Sequence, residues 1–75
     1  MKQILLFGAG KSATVLIDYL LANAEEENWR LTLADANLQT AIDKIKNSPF
    51  GQPVAFDVTD KEARGKFISE ADIVI

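Results

Sequence analysis

Residues 4–13 read Ile-Leu-Leu-Phe-Gly-Ala-Gly-Lys-Ser-Ala, four apolar residues passing directly into the pattern Gly-x-Gly-x-x-Ala. No other stretch constrains the chain as much. A run apolar at every position, rather than at alternate ones, is expected of a central parallel strand covered by helices on both faces. The pattern predicts a strand ending at Phe7, a turn made by two glycines, and a helix opening over Lys11–Ala13. Gly8 permits the tight exit from the strand, and Gly10 lets the backbone approach a ligand with no Cβ in the way. Ala13 is small enough for the helix to pack closely on the strand. The first N–H groups of that helix, with the positive end of its dipole, then face a phosphate. Residue types in this order grip the pyrophosphate of a dinucleotide.

Such a turn needs an acidic partner at the end of the next strand, about 20 residues on, to accept hydrogen bonds from the adenosine ribose. Leu31-Thr32-Leu33-Ala34 reads as that strand, and Asp35 ends it, 22 residues beyond Ala13. Asp also favours helix N-caps, so Asp35 is open to a capping role for the segment that follows; the two roles are compatible. A carboxylate here repels a 2′-phosphate, and Ala36-Asn37-Leu38 supplies no Arg or Lys to receive one. The expected cofactor is therefore NAD in preference to NADP.

Gly10-Lys11-Ser12 also matches the last three residues of a nucleoside-triphosphate P-loop, Gly-x-x-x-x-Gly-Lys-Ser/Thr. The first glycine of that motif falls on Leu5, inside the apolar strand, so the phosphate cradle has no room to form. Lys11 and Ser12 are accordingly assigned to the dinucleotide turn. Net charge is −3, which argues against a nucleic-acid or anionic-membrane surface. With no cysteine and no histidine, disulfides, Cys-based metal sites and imidazole chemistry are excluded from this stretch. No apolar run approaches the ~18–20 residues of a membrane span. The N-terminus enters a strand directly, with no signal peptide. A cytoplasmic setting is the expectation.

Along the chain, short apolar runs alternate with helical periodicity, the pattern of parallel β/α units. A first helix over Ser12–Asn23 places Ala13, Leu16, Ile17, Leu20 and Leu21 toward the sheet, with Val15, Tyr19 and Ala22 widening its apolar surface. Glu25-Glu26-Glu27-Asn28 reads as a solvated connector, and Trp29 as a packing anchor at the rim opposite the ligand edge. A second helix over Leu38–Lys46 repeats apolar residues at Leu38, Ala41, Ile42 and Ile45, and Asn47–Gly51 breaks it. Pro53–Phe56 is the third strand, its opening proline suiting an edge. Thr59-Asp60-Lys61-Glu62 reads as a capping box, with Thr59 as cap. It starts a helix, weakened by Gly65, in which Ala63, Phe67, Ile68 and Ala71 face the sheet. Asp18, Asp43 and Asp72 have no partner cluster and read as solvated surface carboxylates.

Ala71–Ile75 is the fourth strand, beside the first in the order 3-2-1-4. It places an apolar strand at the sheet edge, an association hazard, so self-association through this strand is expected. The chain thus reads as an α/β parallel sheet, βαβαβαβ. Residues 1–75 form the N-terminal half of a dinucleotide-binding domain, expected to be a piece of a longer protein.

With those residues in place, the chain resembles the N-terminal part of the saccharopine dehydrogenase (saccharopine reductase-like) family. The resemblance rests on Ile4–Ala13, Val15–Leu20 and Leu31–Asp35, and on Asp57-Val58 followed by Ala71–Ile75. It implies a partial Rossmann fold binding NAD(P), with Gly8, Gly10 and Ala13 at the pyrophosphate and Asp35 at the adenosine ribose. It also implies Asp57 and Val58 beside the adenine, an apolar side chain on the base and a carboxylate or backbone group at its amine; core packing is the alternative for Val58. Many relatives carry glycine at the position of Ala13, where alanine is an accepted variant. Such enzymes transfer hydride on a C–N bond in lysine metabolism. The groups that meet an amino-acid substrate and the nicotinamide then lie beyond Ile75, and no residue here reads as a catalytic acid, base or nucleophile. A non-catalytic regulatory module sensing NAD(H) shares every one of these motifs, because fold alone does not fix function.

Overall fold

The computed structural model describes residues 1–8, 14–57 and 59–75. Strands and helices alternate: β1 (Lys2–Phe7), α1 (Thr14–Glu27), β2 (Trp29–Asp35), α2 (Leu38–Ile45), β3 (Gly51–Ala55), α3 (Lys61–Glu70) and β4 (Ile73–Val74). The strands form one parallel sheet in the order β3-β2-β1-β4, as the sequence pattern predicts. In β1, Ile4, Leu5 and Leu6 are all buried, which a strand achieves only when both faces are covered. Ile4 and Leu6 join Leu31 and Leu33 of β2, beneath Ile17 and Leu20 of α1 and Ala41 and Ile45 of α2. On the opposite face, Leu5 and Ala34 pack with Phe56, and Ala63 and Phe67 of α3 lie against them. Register follows: Ile4 lies beside Leu31 and Leu6 beside Leu33, so apolar residues share a face on both strands.

Several boundaries differ from the expected ones, each for a local reason. Helix α1 runs on to Glu27, so Glu25, Glu26 and Glu27 make its last turn rather than a connector. Glu is a good helix former, and the reversal needs only Asn28, which takes the left-handed conformation at φ 57°. Trp29 anchors the return as expected, donating from Nε1 to the carbonyl of Leu20 at 2.7 Å. Helix α2 stops at Ile45, with Lys46 as a left-handed C-cap, and only Ala41 and Ile45 of its four expected core positions are buried. Strand β3 starts at Gly51, so Pro53 sits inside this edge strand rather than opening it. In α3, Ala63 and Phe67 pack on the sheet, but Ile68 is exposed. Strand β4 is only Ile73–Val74, extended by a bond from Ile75 N–H to the Leu5 carbonyl at 2.8 Å. Both it and Ile75 stand exposed at the sheet edge.

Gly51 explains how closely α2 lies on β3. A Cβ built there comes within 2.6 and 2.8 Å of Ile45 side-chain carbons and 3.0 Å of Leu21. Gly51→Ala is therefore an overpacking change in the α1/α2 core. It is expected to destabilise the fold by about 1–3 kcal/mol, read as a lower urea midpoint at unchanged slope.

Candidate functional site

In a parallel sheet every strand delivers its following loop to the same edge, and ligands bind in the crevice outside the carboxyl ends of the strands. The β1, β2 and β3 exits bring Gly8, Asp35 and Asp57 to that edge. Gly8 leaves β1 at φ +86°, a conformation that L side chains rarely adopt. Its N–H donates to the Ala34 carbonyl at 2.7 Å, tying the turn to the end of β2. A Cβ at Gly8 would meet nothing within 4 Å, so the requirement for glycine is conformational rather than steric. The strand-then-helix context that the glycine pattern demands is present, with β1 ending at Phe7 and α1 running from Thr14. Gly10, Lys11, Ser12, Ala13 and Val58, the other expected site residues, lie outside the described residues.

Asp35 is the last residue of β2, as expected, and its Oδ1 accepts the N–H of Asn37 at 2.8 Å. Capping of α2 falls to Asn37, whose side-chain oxygen accepts the N–H of Thr40 at 3.3 Å. The capping alternative for Asp35 is thus taken by its neighbour two residues on. Between this turn and the end of β3 lies an open cleft of about 310 Å³, lined by Ala36, Ala55, Phe56 and Asp57. Asp35 pairs with Ala55 in register, and Phe56 N–H donates to the Asp35 carbonyl at 2.9 Å, so the two strand ends are directly adjacent.

Asp57 organises the β3 exit. Its Oδ1 accepts both the N–H of Thr59 at 2.9 Å and the Thr59 hydroxyl at 2.7 Å. Those two bonds, the hydroxyl's the stronger influence, hold the carboxyl below the ordinary aspartate value of 3.8. This overturns the expected capping box: Thr59 is committed to Asp57, and Asp60 caps α3 by accepting the N–H of Ala63 at 3.1 Å. At the helix start the N–H groups need an acceptor, and the charged Asp60 carboxylate, one residue closer, accepts more strongly than the Thr59 hydroxyl oxygen would. An Asx-type bond two residues on was the available signal in Asp57-Val58-Thr59, and the capping pattern concealed it. Of the three carboxylates read as merely solvated, Asp18 lies 3.4 Å from Lys46 Nζ and Asp43 accepts from Gln39 at 2.9 Å. Asp72 does more, accepting the N–H of Gln3 at 2.7 Å and so fastening the start of β4 to β1.

A second cleft of about 160 Å³ lies under α3 on the sheet face carrying Gln3, Thr32 and Gln52, with Phe67 and Glu70 in its wall. It is away from the strand exits. Among the described residues, no group of three or more His, Cys, Asp or Glu could hold a metal ion. No helix among them is long and apolar enough to cross a membrane.

No protein-family model matches the chain, and no curated protein matches it. Among solved structures, apo saccharopine dehydrogenase (L-Glu forming) from Saccharomyces cerevisiae is similar, with a TM-score of 0.83 and 34% identity over 99% of this chain. The chain spans 16% of the length of that structure. The resemblance to saccharopine dehydrogenases therefore holds along nearly the whole chain, as does the reading of a parallel α/β sheet forming part of a Rossmann fold.

Two outcomes follow from the geometry. Gly8→Ala places a Cβ on a left-handed residue and is expected to cost about 1–2 kcal/mol, measured by thermal or urea unfolding. Asp57 is expected to titrate below 3.8, followed by its carboxyl carbon shift in NMR, and Thr59→Val to move the midpoint up. A folded-state value that is lowered stabilises the fold above the ordinary carboxylate range. That contribution is lost as pH falls through the lowered value.

Proposed function

We propose that this chain is the NAD-binding portion of an oxidoreductase of the saccharopine dehydrogenase type. One observation carries the reading: a positive-φ glycine at the end of a central parallel strand stands beside a second strand that ends in a carboxylate. The 34% identity to a saccharopine dehydrogenase supports the same reading. Gly8, Gly10, Lys11, Ser12 and Ala13 form the pyrophosphate turn in this assignment, Asp35 receives the hydroxyls of the adenosine ribose, and Asp57 with Val58 borders the adenine. Bound NAD would supply a hydride acceptor for a C–N bond of an amino-acid substrate, while the protein supplies binding and orientation. No residue of this stretch is assigned to the amino-acid substrate, and the chain spans 16% of the length of that dehydrogenase.

The residues fit a dinucleotide in two respects. Gly8 takes the backbone conformation that the strand-to-helix turn requires, and its N–H is spent on Ala34, which holds the turn at the sheet edge. The Asn37 N–H fixes the Asp35 carboxylate in one orientation, so its role in binding costs little further ordering. The preference for NAD rests on charge. A 2′-phosphate placed at Asp35 would face a carboxylate, and the β2–α2 turn, Ala36-Asn37, contains no cation to offset it.

The test is a titration of the isotope-labelled chain with NAD and, separately, with NADP, followed by backbone amide shifts. Shifts centred on Gly8, Asp35 and Asn37, saturating at lower NAD than NADP, are expected. Asp35→Ala should weaken NAD about tenfold, the equivalent of one charge-assisted hydrogen bond, while leaving NADP much less affected. Tighter binding of NADP would overturn the cofactor assignment, and a well-dispersed spectrum unmoved by either dinucleotide would overturn the reading itself.

A further inference from the structure

We infer that the cleft beneath α3 is a second binding site, one that takes a guanidinium group with Glu70 as its charged acceptor. It lies away from the strand exits and does not rest on the dinucleotide reading.

The sheet face under α3 changes character along its strands. Towards the exits it is apolar, with Leu5, Ala34 and Phe56 packed together. Towards the strand starts it is polar. Thr32 lies between Leu5 and Gln52 in register, and Gln3, two residues before Leu5, shares their face. The C-terminal part of α3 overhangs this row, with Phe67 and Glu70 in the wall, and leaves about 160 Å³ of room. A cavity of about 150 Å³ takes a benzene-sized molecule. Among the described residues, the side chains of Gln3, Thr32, Gln52 and Glu70 make no hydrogen bond or ion pair. Four polar side chains thus converge on one small cleft with their bonding capacity unspent.

Charge decides the class of ligand. Helix α3 ends on Glu70 and has no basic residue in its last turn. That sets a carboxylate at the negative end of the helix dipole, an arrangement that costs stability unless a cation answers it. Asp72, two residues on, adds a second negative charge while its Oδ2 accepts the N–H of Gln3 at 2.7 Å. Arg30 stands beside Gln3 in register and Lys66 lies one turn before Glu70, but neither pairs with Glu70. An anion here would meet carboxylates, and an apolar molecule would strip water from polar groups without replacing it. A cation gains from both Glu70 and the helix end. No group of three acidic ligands among the described residues could hold a metal ion, so the cation is an organic one. Guanidinium suits the cleft better than ammonium. It is flat and more weakly hydrated, and its fork of N–H groups meets a carboxylate two at a time. Its remaining N–H groups have the oxygens of Thr32 and the two glutamines as acceptors, and Phe67 supplies an aromatic ring of the kind on which it stacks.

The experiment titrates the labelled chain with methylguanidinium and with methylurea, which share a shape and differ in charge. Ionic strength is held constant and concentrations stay well below denaturing ones. Saturable shifts centred on Gln3, Thr32, Gln52 and Glu70 are expected with methylguanidinium. Methylurea should bind about tenfold more weakly, the scale of one charge-assisted hydrogen bond. Glu70→Gln should bring that preference close to one while the urea midpoint of the chain stays level or rises, because the negative end of α3 loses a charge. Glu26→Gln removes the same charge from the last turn of α1, outside the cleft, and should leave the preference intact. N-acetylargininamide carries the group on a peptide. Tighter binding than methylguanidinium assigns the cleft to an arginine side chain, weaker binding assigns it to a free small molecule, and both support guanidinium recognition. Equal affinity for methylguanidinium and methylurea, or a preference unchanged in Glu70→Gln, overturns the inference. Shifts that never saturate and spread over the whole surface overturn it as well. None of these outcomes bears on NAD, whose own titration reads the strand exits.

Discussion

Burial of β1 from both sides is the constraint on which the rest of the molecule depends. Ile4 and Leu6 look to α1 and α2, Leu5 looks to α3, and all three are removed from water. A strand of that kind needs helices above and below it, and helices between parallel strands return the chain to the same end each time. The exits of β1, β2 and β3 consequently gather at one edge of the sheet. The candidate site follows from that topology. Gly8, Asp35 and Asp57 are neighbours because their strands are neighbours, although 27 and 22 residues of sequence separate them.

At that edge the two aspartates solve the same local problem in the same way. Each ends or follows a strand, and each accepts through Oδ1 the N–H of the residue two positions on, Asn37 for Asp35 and Thr59 for Asp57. In both loops a different residue caps the next helix, Asn37 in one and Asp60 in the other. Separating the two duties matters chemically. A carboxylate used as a cap turns its charge into the helix, whereas one held by an adjacent turn keeps it at the strand end, where a ligand would lie. The Thr59 hydroxyl adds a second donor to Asp57, and both bonds favour the ionised carboxyl.

Much of this was legible in the residues, and the exceptions share a cause. Strand order, parallel pairing, Gly8 at a turn and Asp35 at a strand end all follow from apolar runs and spacing, signals that tertiary packing reinforces. Misplaced boundaries lie where a single side chain arbitrates. Three glutamates read as a connector because they are polar, yet α1 could absorb them once Asn28 accepted the left-handed turn. Leu38, Ile42 and Ile68 have the periodicity of core positions but remain exposed, because α2 buries only a narrow face and α3 covers only part of the sheet. Thr59 was misassigned because Thr and Asp are adjacent and both suit an N-cap; the Asp60 carboxylate takes the cap while Thr59 bonds back to Asp57, a choice that periodicity does not report.

The two faces of the sheet serve different ends. The α1/α2 face holds the larger cluster, in which Ile17, Leu31 and Leu33 are fully buried and Gly51 draws α2 close. The α3 face is thinner, with no fully enclosed side chain from α3 itself, and its cohesion comes from aromatic rings. Phe7 lies 5.0 Å from Phe56, and Phe56 lies 5.6 Å from Phe67 in an edge-on arrangement. Such pairs add about 0.5–1.5 kcal/mol beyond the area they bury. Their position is as informative as their energy. Phe7 immediately precedes Gly8, and Phe56 immediately precedes Asp57. Each ring therefore fixes a strand exit of the candidate site, and Phe67 of α3 clamps the β3 exit from behind. The α1/α2 face keeps the sheet assembled, while the aromatic cluster holds the β1 and β3 exits in fixed relation. That fixed relation is what a ligand spanning from Gly8 to Asp57 requires.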